Sequence, residues 1–258
     1  MKIVVTPPFT EEQKKRIMEA AGPEQPVFRL KSEITQELLS NTDVILGNLD
    51  NPSQARWAHN LKWIQLNNAG TEGYCEPGLL PEGAVLTNAT GAYGLAISEH
   101  MIACLFMLRK KLNLYYEDQL RREWKREGHV GVIQGTTVLV IGLGDIGRTF
   151  ARKMKALGCY TIGIRRRISE KTVPEDAAAD EIHGMDELDR LLPCADVVAL
   201  SLPGNASTYH VLNRERIALL SPNAVVLNVG RGTAIDTDAL SDALYAGKIA
   251  GAALDVTD

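Results

Sequence analysis

Residues 136–147 of the chain have the sequence TTVLVIGLGDIG, a β-branched apolar run followed at once by three glycines in the spacing G-x-G-x-x-G. The apolar run predicts a buried strand of a parallel sheet. The residues after the glycines predict a helix over 145–157. Because the glycines lie between a strand and a helix, the stretch predicts a Rossmann-type dinucleotide site rather than an ordinary glycine-rich turn.

Each glycine of this motif has a separate physical task. Gly142 permits a tight turn, Gly144 lets the backbone approach a pyrophosphate, and Gly147 lets the helix pack closely on the strand. Asp145 and Ile146 lie in the first helical turn, where free N–H groups and the helix dipole favour phosphate. We therefore predict that these five residues bind the dinucleotide, the alternative being a glycine-rich turn without a ligand.

A run of arginines follows the next predicted strand. NAD enzymes usually have an acidic residue about 20 positions after the motif, which binds the ribose hydroxyls. At that place the chain has Arg165, Arg166 and Arg167 and no carboxylate. Guanidinium groups are suited to a 2′-phosphate, so we predict NADP(H) as the preferred cofactor, with NAD(H) possible. The alternative is a solvated basic loop.

Short apolar runs alternate with helix-period segments along the whole chain, which predicts an α/β fold with parallel sheets. The residues 10–13, TEEQ, have the pattern of a capping box that opens a helix. A further helix is expected over 236–246. The predicted strands cover residues 2–6, 43–47, 61–66, 84–87, 136–142, 159–164, 195–202, 224–229 and 250–256.

A different pattern occupies residues 93–126. Apolar residues recur there at helical spacing, at Ile97, Met101, Cys104, Leu105, Leu108 and Leu112. We expect one long helix that either connects two domains or packs on a partner. Trp124, set among charges at its end, is either an interface anchor or packs on its own domain.

Composition limits the classes of function. The 258 residues carry a formal net charge of −4, which argues against binding to nucleic acid or to an acidic membrane surface. Four widely spaced cysteines, Cys75, Cys104, Cys159 and Cys194, argue against a zinc site or a disulfide framework. The longest apolar stretch, 101–108, is far shorter than a membrane span. We expect a cytoplasmic protein.

Several further motifs are similar to those of the D-2-hydroxyacid dehydrogenase family. They are NVGRGTAID at 228–236, SLP at 201–203 with Thr208 beyond it, AALDV at 252–256, ISEH at 97–100 and NAGT at 68–71. The resemblance spans nearly the whole chain, and its motifs are more specific from Gly142 onward than before residue 90.

The resemblance implies a flavodoxin-like substrate domain over 1–94 and a Rossmann-like cofactor domain over 95–258. Residues 95–127 would form a homodimer interface, and the substrate would be a small 2-keto or 2-hydroxy acid. Four residues of the first domain, Asn68, Ala69, Gly70 and Thr71, would offer backbone N–H groups to the substrate carboxylate. The cofactor would contact Leu202, Pro203, Thr208, Val229, Gly230 and, through its carboxamide, Asp255.

Arg231 is the candidate catalytic residue. The resemblance implies that it binds the substrate carboxylate and carbonyl, and a planar guanidinium fork suits that task. The alternative is an ordinary loop arginine. Glycines on both sides, Gly230 and Gly232, and the end of a predicted strand before them favour a positioned residue.

The family also uses a glutamate about 29 residues beyond the arginine, paired with a histidine, and that spacing passes the last residue, Asp258. None of the five histidines, His59, His100, His129, His183 and His210, maps onto the family's proton donor. We therefore expect the chain to be either a fragment of a longer enzyme or a truncated relative. In a truncated relative, cofactor binding should survive better than turnover. The alternatives are a non-catalytic dinucleotide-binding module and, less compatibly with these motifs, another Rossmann enzyme.

Overall fold

A computed structural model describes residues 1–166 and 178–258. The chain divides into two compact units, Met1–Ala92 and Tyr93–Asp258. Each unit is built on its own parallel sheet, which confirms the predicted fold class. In the described part of the chain, none of the helices has the length and apolar character needed to cross a membrane.

The first unit contains a five-stranded sheet in the order β2-β1-β3-β4-β5, and every described pair is parallel. This is the flavodoxin-like order. Its strands are β1 (Ile3–Val5), β2 (Val27–Phe28), β3 (Val44–Leu46), β4 (Trp63–Gln65) and β5 (Val85–Thr87). Its helices are α1 (Glu11–Ala21) and α2 (Gln36–Ser40). The predicted capping box is confirmed, because the Thr10 and Gln13 side chains each bond to the other residue's backbone N–H.

The second unit contains a six-stranded parallel sheet in the order β11-β10-β9-β6-β7-β8. Its strands are β6 (Thr137–Ile141), β7 (Tyr160–Arg165), β8 (Glu181–Gly184), β9 (Val197–Leu200), β10 (Val225–Asn228) and β11 (Gly251–Leu254). Its helices are α3 (Gly94–Arg109), α4 (Leu112–Arg121), α5 (Asp145–Ala156), α6 (Leu188–Leu191), α7 (Arg214–Ala218) and α8 (Thr237–Tyr245). The strand order reverses between β6 and β9, and ligands of such sheets bind in the crevice outside that point.

The two faces of this sheet carry separate apolar cores. Along β6, Leu139 and Ile141 belong to one core while Val138 and Val140 belong to the other. This alternation follows from the two-residue period of a strand. The buried Phe150 of α5 lies in the same core as Val138 and Val140, so packing fixes the helix that follows the glycine turn to the strand that precedes it.

The prediction of one helix over 93–126 is wrong. Helix α3 ends at Arg109, and Lys111 then adopts a left-handed backbone with a φ of 55°. The break brings the side-chain ammonium of Lys110 within 2.7 Å of the Gly131 carbonyl oxygen. The ammonium of Lys111 likewise donates to the Glu127 carbonyl oxygen. Two lysines at the end of α3 thus bind the backbone of the segment 127–131. Apolar periodicity alone does not reveal these contacts.

The end of α4 is organised by a buried carboxylate. The Asp118 side chain is 4% exposed and accepts from Arg121 at 2.7 Å and from Lys125 at 3.1 Å. Arg122, with a left-handed φ of 58°, then ends the helix. Trp124 follows with its side chain fully exposed, so it does not pack on its own unit in this chain.

Candidate functional site

The glycine turn joins the end of β6 to the start of α5. Gly142 has a φ of 100°, and a Cβ atom there would lie 3.0 Å from the Ser201 carbonyl oxygen. A Cβ on Gly147 would lie only 1.9 Å from the Gly142 carbonyl oxygen. A Cβ on Gly144 would meet nothing within 4 Å. The first and last glycines are therefore required by the fold, whereas Gly144 keeps open space beside the backbone.

Ser201 fixes this turn from the neighbouring strand. Its hydroxyl donates a hydrogen bond of 2.8 Å to the Gly142 carbonyl oxygen. Ser201 follows β9, the strand next to β6, and its backbone N–H also bonds to the Ile141 carbonyl oxygen at 3.1 Å. Sequence reasoning placed Ser201 in a motif but gave it no role, because the partner lies 59 residues away.

A cleft of about 640 Å³ opens beside the glycine turn. It brings together seven of the residues predicted from the sequence, Gly142, Gly144, Arg165, Arg166, Leu202, Pro203 and Thr208. Its other lining residues are Leu143, Ile164, Met185, Asn205 and Ser207. Arg167 lies outside the described residues. The cleft is thus lined by glycine backbone, by apolar side chains and by two arginines.

Asp145 and Ile146 direct their side chains elsewhere. The Asp145 carboxylate accepts a hydrogen bond of 2.9 Å from the Gly94 N–H at the start of α3. Ile146 packs against the apolar core. In the first turn of α5, these two residues therefore offer a ligand their backbone rather than their side chains.

Arg231 lies in a turn directly after β10. Asn228, the last residue of the strand, donates from its side-chain amide to the Arg231 carbonyl oxygen at 2.9 Å and accepts from the Gly230 N–H at 3.0 Å. The Arg231 guanidinium donates to the Gly230 carbonyl oxygen at 2.8 Å. A Cβ on Gly204 would lie 3.1 Å from the Arg231 Cγ atom. The arginine therefore lies beside the residue that follows Pro203 of the cleft.

Val229 and Asp255 line a second cavity of about 320 Å³ between α3 and β11. The Asp255 carboxylate lies 3.5 Å from the His100 Nε2 atom, and the Cys104 sulfur is also 3.5 Å from that atom. Burial raises the pKa of the Cys104 thiol, and the charge of Asp255 raises it further. This thiol is thereby kept protonated, which disfavours a role as a nucleophile.

The other histidines described with partners lie on different elements. His183 Nε2 is 2.7 Å from a Glu181 carboxylate oxygen on the edge strand β8. The His210 ring stacks on Tyr209 with 4.0 Å between ring centroids. Within residues 1–166 and 178–258, no group of three His, Cys, Asp or Glu side chains is placed to hold a metal ion.

In the first unit, asparagines at the carboxyl ends of three adjacent strands hold the loop at 68–71. The Asn48 side chain donates to the Asn68 side-chain oxygen at 3.0 Å. The Asn88 side chain donates to the Ala69 carbonyl oxygen at 2.7 Å. The Asn68 carbonyl oxygen accepts from the Ala89 N–H at 2.9 Å. These contacts fix the backbone of the predicted substrate-binding loop, and its role stays a prediction.

The contrast between two glycines of the turn gives a stability prediction. Gly147→Ala should lower the free energy of unfolding by about 3 kcal/mol or more, because the new methyl group overlaps a backbone oxygen. Gly144→Ala should leave the melting temperature nearly unchanged, since its φ of −76° suits alanine and no atom lies near the new methyl group. Thermal unfolding followed by circular dichroism measures both variants. Equal melting temperatures for the two would contradict this account of the turn.

The sequence of the chain is similar to a family of known proteins. Residues 102–258 match the model of the D-isomer specific 2-hydroxyacid dehydrogenase NAD binding domain. A D-3-phosphoglycerate dehydrogenase of Methanocaldococcus jannaschii is 30% identical over 261 residues, which cover 99% of this chain and 49% of that protein. A glyoxylate reductase of Thermococcus onnurineus is 35% identical over 182 residues, which cover 67% of this chain and 50% of that protein. The matches thus span about half the length of both relatives.

A solved structure agrees with the sequence matches. It is a D-isomer specific 2-hydroxyacid dehydrogenase family protein from Aeromonas salmonicida subsp. salmonicida A449, with a TM-score of 0.85 and 27% identity. The similarity covers 100% of this chain and 81% of that one. The resemblance seen in the sequence motifs is confirmed, and the chain belongs to the D-isomer specific 2-hydroxyacid dehydrogenase family.

Proposed function

We propose that the chain transfers a hydride between NADP(H) and a small 2-keto or 2-hydroxy acid. The observation that carries the proposal is the cleft beside the glycine turn, which joins Gly142 and Gly144 with Arg165 and Arg166. Relatives named D-3-phosphoglycerate dehydrogenase and glyoxylate reductase support the substrate class.

The cofactor would bind with its pyrophosphate against the start of α5. The open space at Gly144 lets phosphate oxygens approach backbone N–H groups, and the positive end of the helix dipole favours their charge. The apolar side chains of Ile164, Leu202 and Met185 in the same cleft suit the flat ring of a nucleoside. When bound, the nicotinamide supplies the hydride.

The preference for NADP(H) rests on charge. Arg165 ends β7 and Arg166 follows it, and both line the cleft. None of the described residues lining the cleft is a carboxylate that could accept from ribose hydroxyls. Two guanidinium groups would instead donate charge-assisted hydrogen bonds to a 2′-phosphate.

The substrate would be oriented by Arg231. Its aliphatic stem lies beside Gly204, and its guanidinium suits a planar carboxylate and an adjacent ketone oxygen. A guanidinium group does not serve as a proton donor in proteins, so Arg231 would polarise the ketone, and the proton that completes the alcohol would come from another group. The backbone N–H groups at 68–71 of the proposed substrate domain, 1–94, are further candidates for the carboxylate, and Val229, Gly230 and Asp255 for the nicotinamide.

We also propose that the chain forms a homodimer through residues 95–127. Leu112, Tyr116 and Leu120 recur every four residues on one face of α4 and are each more than half exposed. Trp124, beyond the end of α4 in the same region, also has a fully exposed ring. Exposed apolar side chains grouped in this way are typical of protein interfaces.

The cofactor proposal predicts tighter binding of NADPH than of NADH in a fluorescence titration. Replacing Arg165 and Arg166 together by alanine should weaken NADPH binding by about 10- to 100-fold, because charge-assisted hydrogen bonds are lost. NADH binding should change little. Arg214→Ala, which removes an exposed guanidinium paired with Asp242, is the matched control. Equal affinity of the unaltered protein for the two cofactors would contradict the preference.

Turnover tests the reaction itself. We expect slow NADPH oxidation with at least one of glyoxylate, hydroxypyruvate and pyruvate, because no residue of this chain maps onto the family's proton donor. The reaction is followed as the loss of absorbance of the reduced nicotinamide. Arg231→Lys should lower kcat/KM by about 100-fold or more, since an ammonium cannot reproduce the fork. Arg214→Lys should not lower it. NADPH binding without turnover of any of the three acids would support a non-catalytic binding module, and failure to bind either cofactor would refute both proposals.

The dimer proposal predicts that Tyr116→Glu shifts the protein from dimer to monomer in light scattering, because a charge would then be buried at the interface. Tyr245→Glu is the matched control, since Tyr245 is a 93% exposed tyrosine on α8, outside the proposed surface. A monomer for the unaltered chain at high concentration would refute the proposal.

A further inference from the structure

We propose that Asn228 is a positioning residue that holds Arg231 in register with Asp255. The inference rests on the proposed function, because it concerns the two residues assigned there to the substrate and to the nicotinamide. It assigns to Asn228 a role that neither the motif nor the comparisons specify.

Asn228 makes hydrogen bonds in three directions from one buried position. The residue is only 1% exposed. Its side chain binds the Arg231 carbonyl oxygen at 2.9 Å and the Gly230 N–H at 3.0 Å. Its own carbonyl oxygen accepts from the Asp255 N–H at 2.9 Å. One residue therefore connects the turn after β10 with the end of β11.

The chemistry of an amide side chain suits this position. The site needs one donor and one acceptor on a single short group, which an asparagine provides. An aspartate would keep the acceptor, lose the donor and place a negative charge against the Arg231 carbonyl oxygen. A buried polar group left without its partner costs about as much as a lost hydrogen bond, so the turn would relax away from its present geometry.

A shift of this turn would move the guanidinium. The Arg231 side chain itself bonds to the Gly230 carbonyl oxygen at 2.8 Å, and its Cγ atom is close to Gly204. The guanidinium is thus bonded to Gly230, whose N–H donates to the Asn228 side chain, and the arginine stem lies against Gly204. A misplacement of about 1 Å can cost about 100-fold in rate. The geometry of this turn would therefore affect the rate of hydride transfer through the position of the Arg231 guanidinium.

The test uses Asn228→Asp in the full chain. We expect kcat/KM for glyoxylate to fall about 100-fold. The affinity for NADPH should change less than about threefold, because the glycine turn and the two arginines proposed to hold its phosphates are not altered. The matched control is Asn60→Asp. This change also removes an amide donor to a carbonyl oxygen, that of Ser40 at 3.2 Å, but at an exposed position of the first unit.

A double-mutant cycle separates positioning from a general structural effect. In an Arg231→Lys background, Asn228→Asp should lower kcat/KM by less than about tenfold, since the group it positions is already gone. The same loss in both backgrounds would overturn the proposal. If Asn228→Asp does not fold, Asn228→Ser, which is neutral and too short to reach both partners, replaces it in the same cycle.

Hydrogen exchange of the amides at 229–232 gives a measurement that does not need turnover. Faster exchange there in Asn228→Asp, with Asn60→Asp unchanged, supports the role of Asn228 even if no 2-keto acid is reduced and the proposed function fails. Unchanged exchange at 229–232 overturns the inference, even if the enzyme is active.

Discussion

The carbonyl oxygen of Gly142 is the point on which the second unit depends. The Ser201 hydroxyl donates to it at 2.8 Å, and the Cα of Gly147 approaches it so closely that a methyl group would lie 1.9 Å away. One backbone oxygen thus ties together the end of β6, the residue after β9 and the first turn of α5. These elements lie on both sides of the point where the strand order reverses. The backbone that lines the crevice expected there is therefore held in place by these contacts.

The same close packing of backbone leads from the glycine turn to the arginine. A Cβ atom on Gly230 would lie 2.6 Å from the Leu202 carbonyl oxygen. The Arg231 stem in turn lies against Gly204. Because the contact between Gly230 and Leu202 joins backbone to backbone, the segment 201–204 has little freedom to move relative to the turn that carries the arginine. Sites built on such rigid elements keep their geometry better than sites on mobile loops.

Features of the fold and of the site could be predicted from the sequence where they depend on neighbouring residues, and could not where they depend on partners far along the chain. The apolar runs identified nine of the eleven strands in the described residues, all except β2 and β8, since a buried parallel strand shows its burial in its own composition. The break at Lys111 could not be predicted, because the carbonyl groups that bind Lys110 and Lys111 lie 16 to 21 residues further along the chain. Ser201 and Asn228 were visible within motifs, yet their roles depend on partners that only the folded sheet supplies. The edge strand β8, partly polar at Glu181 and His183, lacked the apolar pattern that reveals a buried strand.

Charge is distributed unevenly over the second unit. The chain has a net charge of −4, and Asp255 follows β11, yet several other groups at the carboxyl edge of the second sheet are positive. They are Arg165 at the end of β7, Arg231 after β10, and the N–H groups that begin α5. Parallel strands place all their carboxyl ends at one edge, so residues far apart in sequence are collected where anions bind. Both proposed ligands, a dinucleotide and a 2-keto acid, are anions. The topology would therefore favour them electrostatically, and the glycines and amides described above would limit where each negative group can lie.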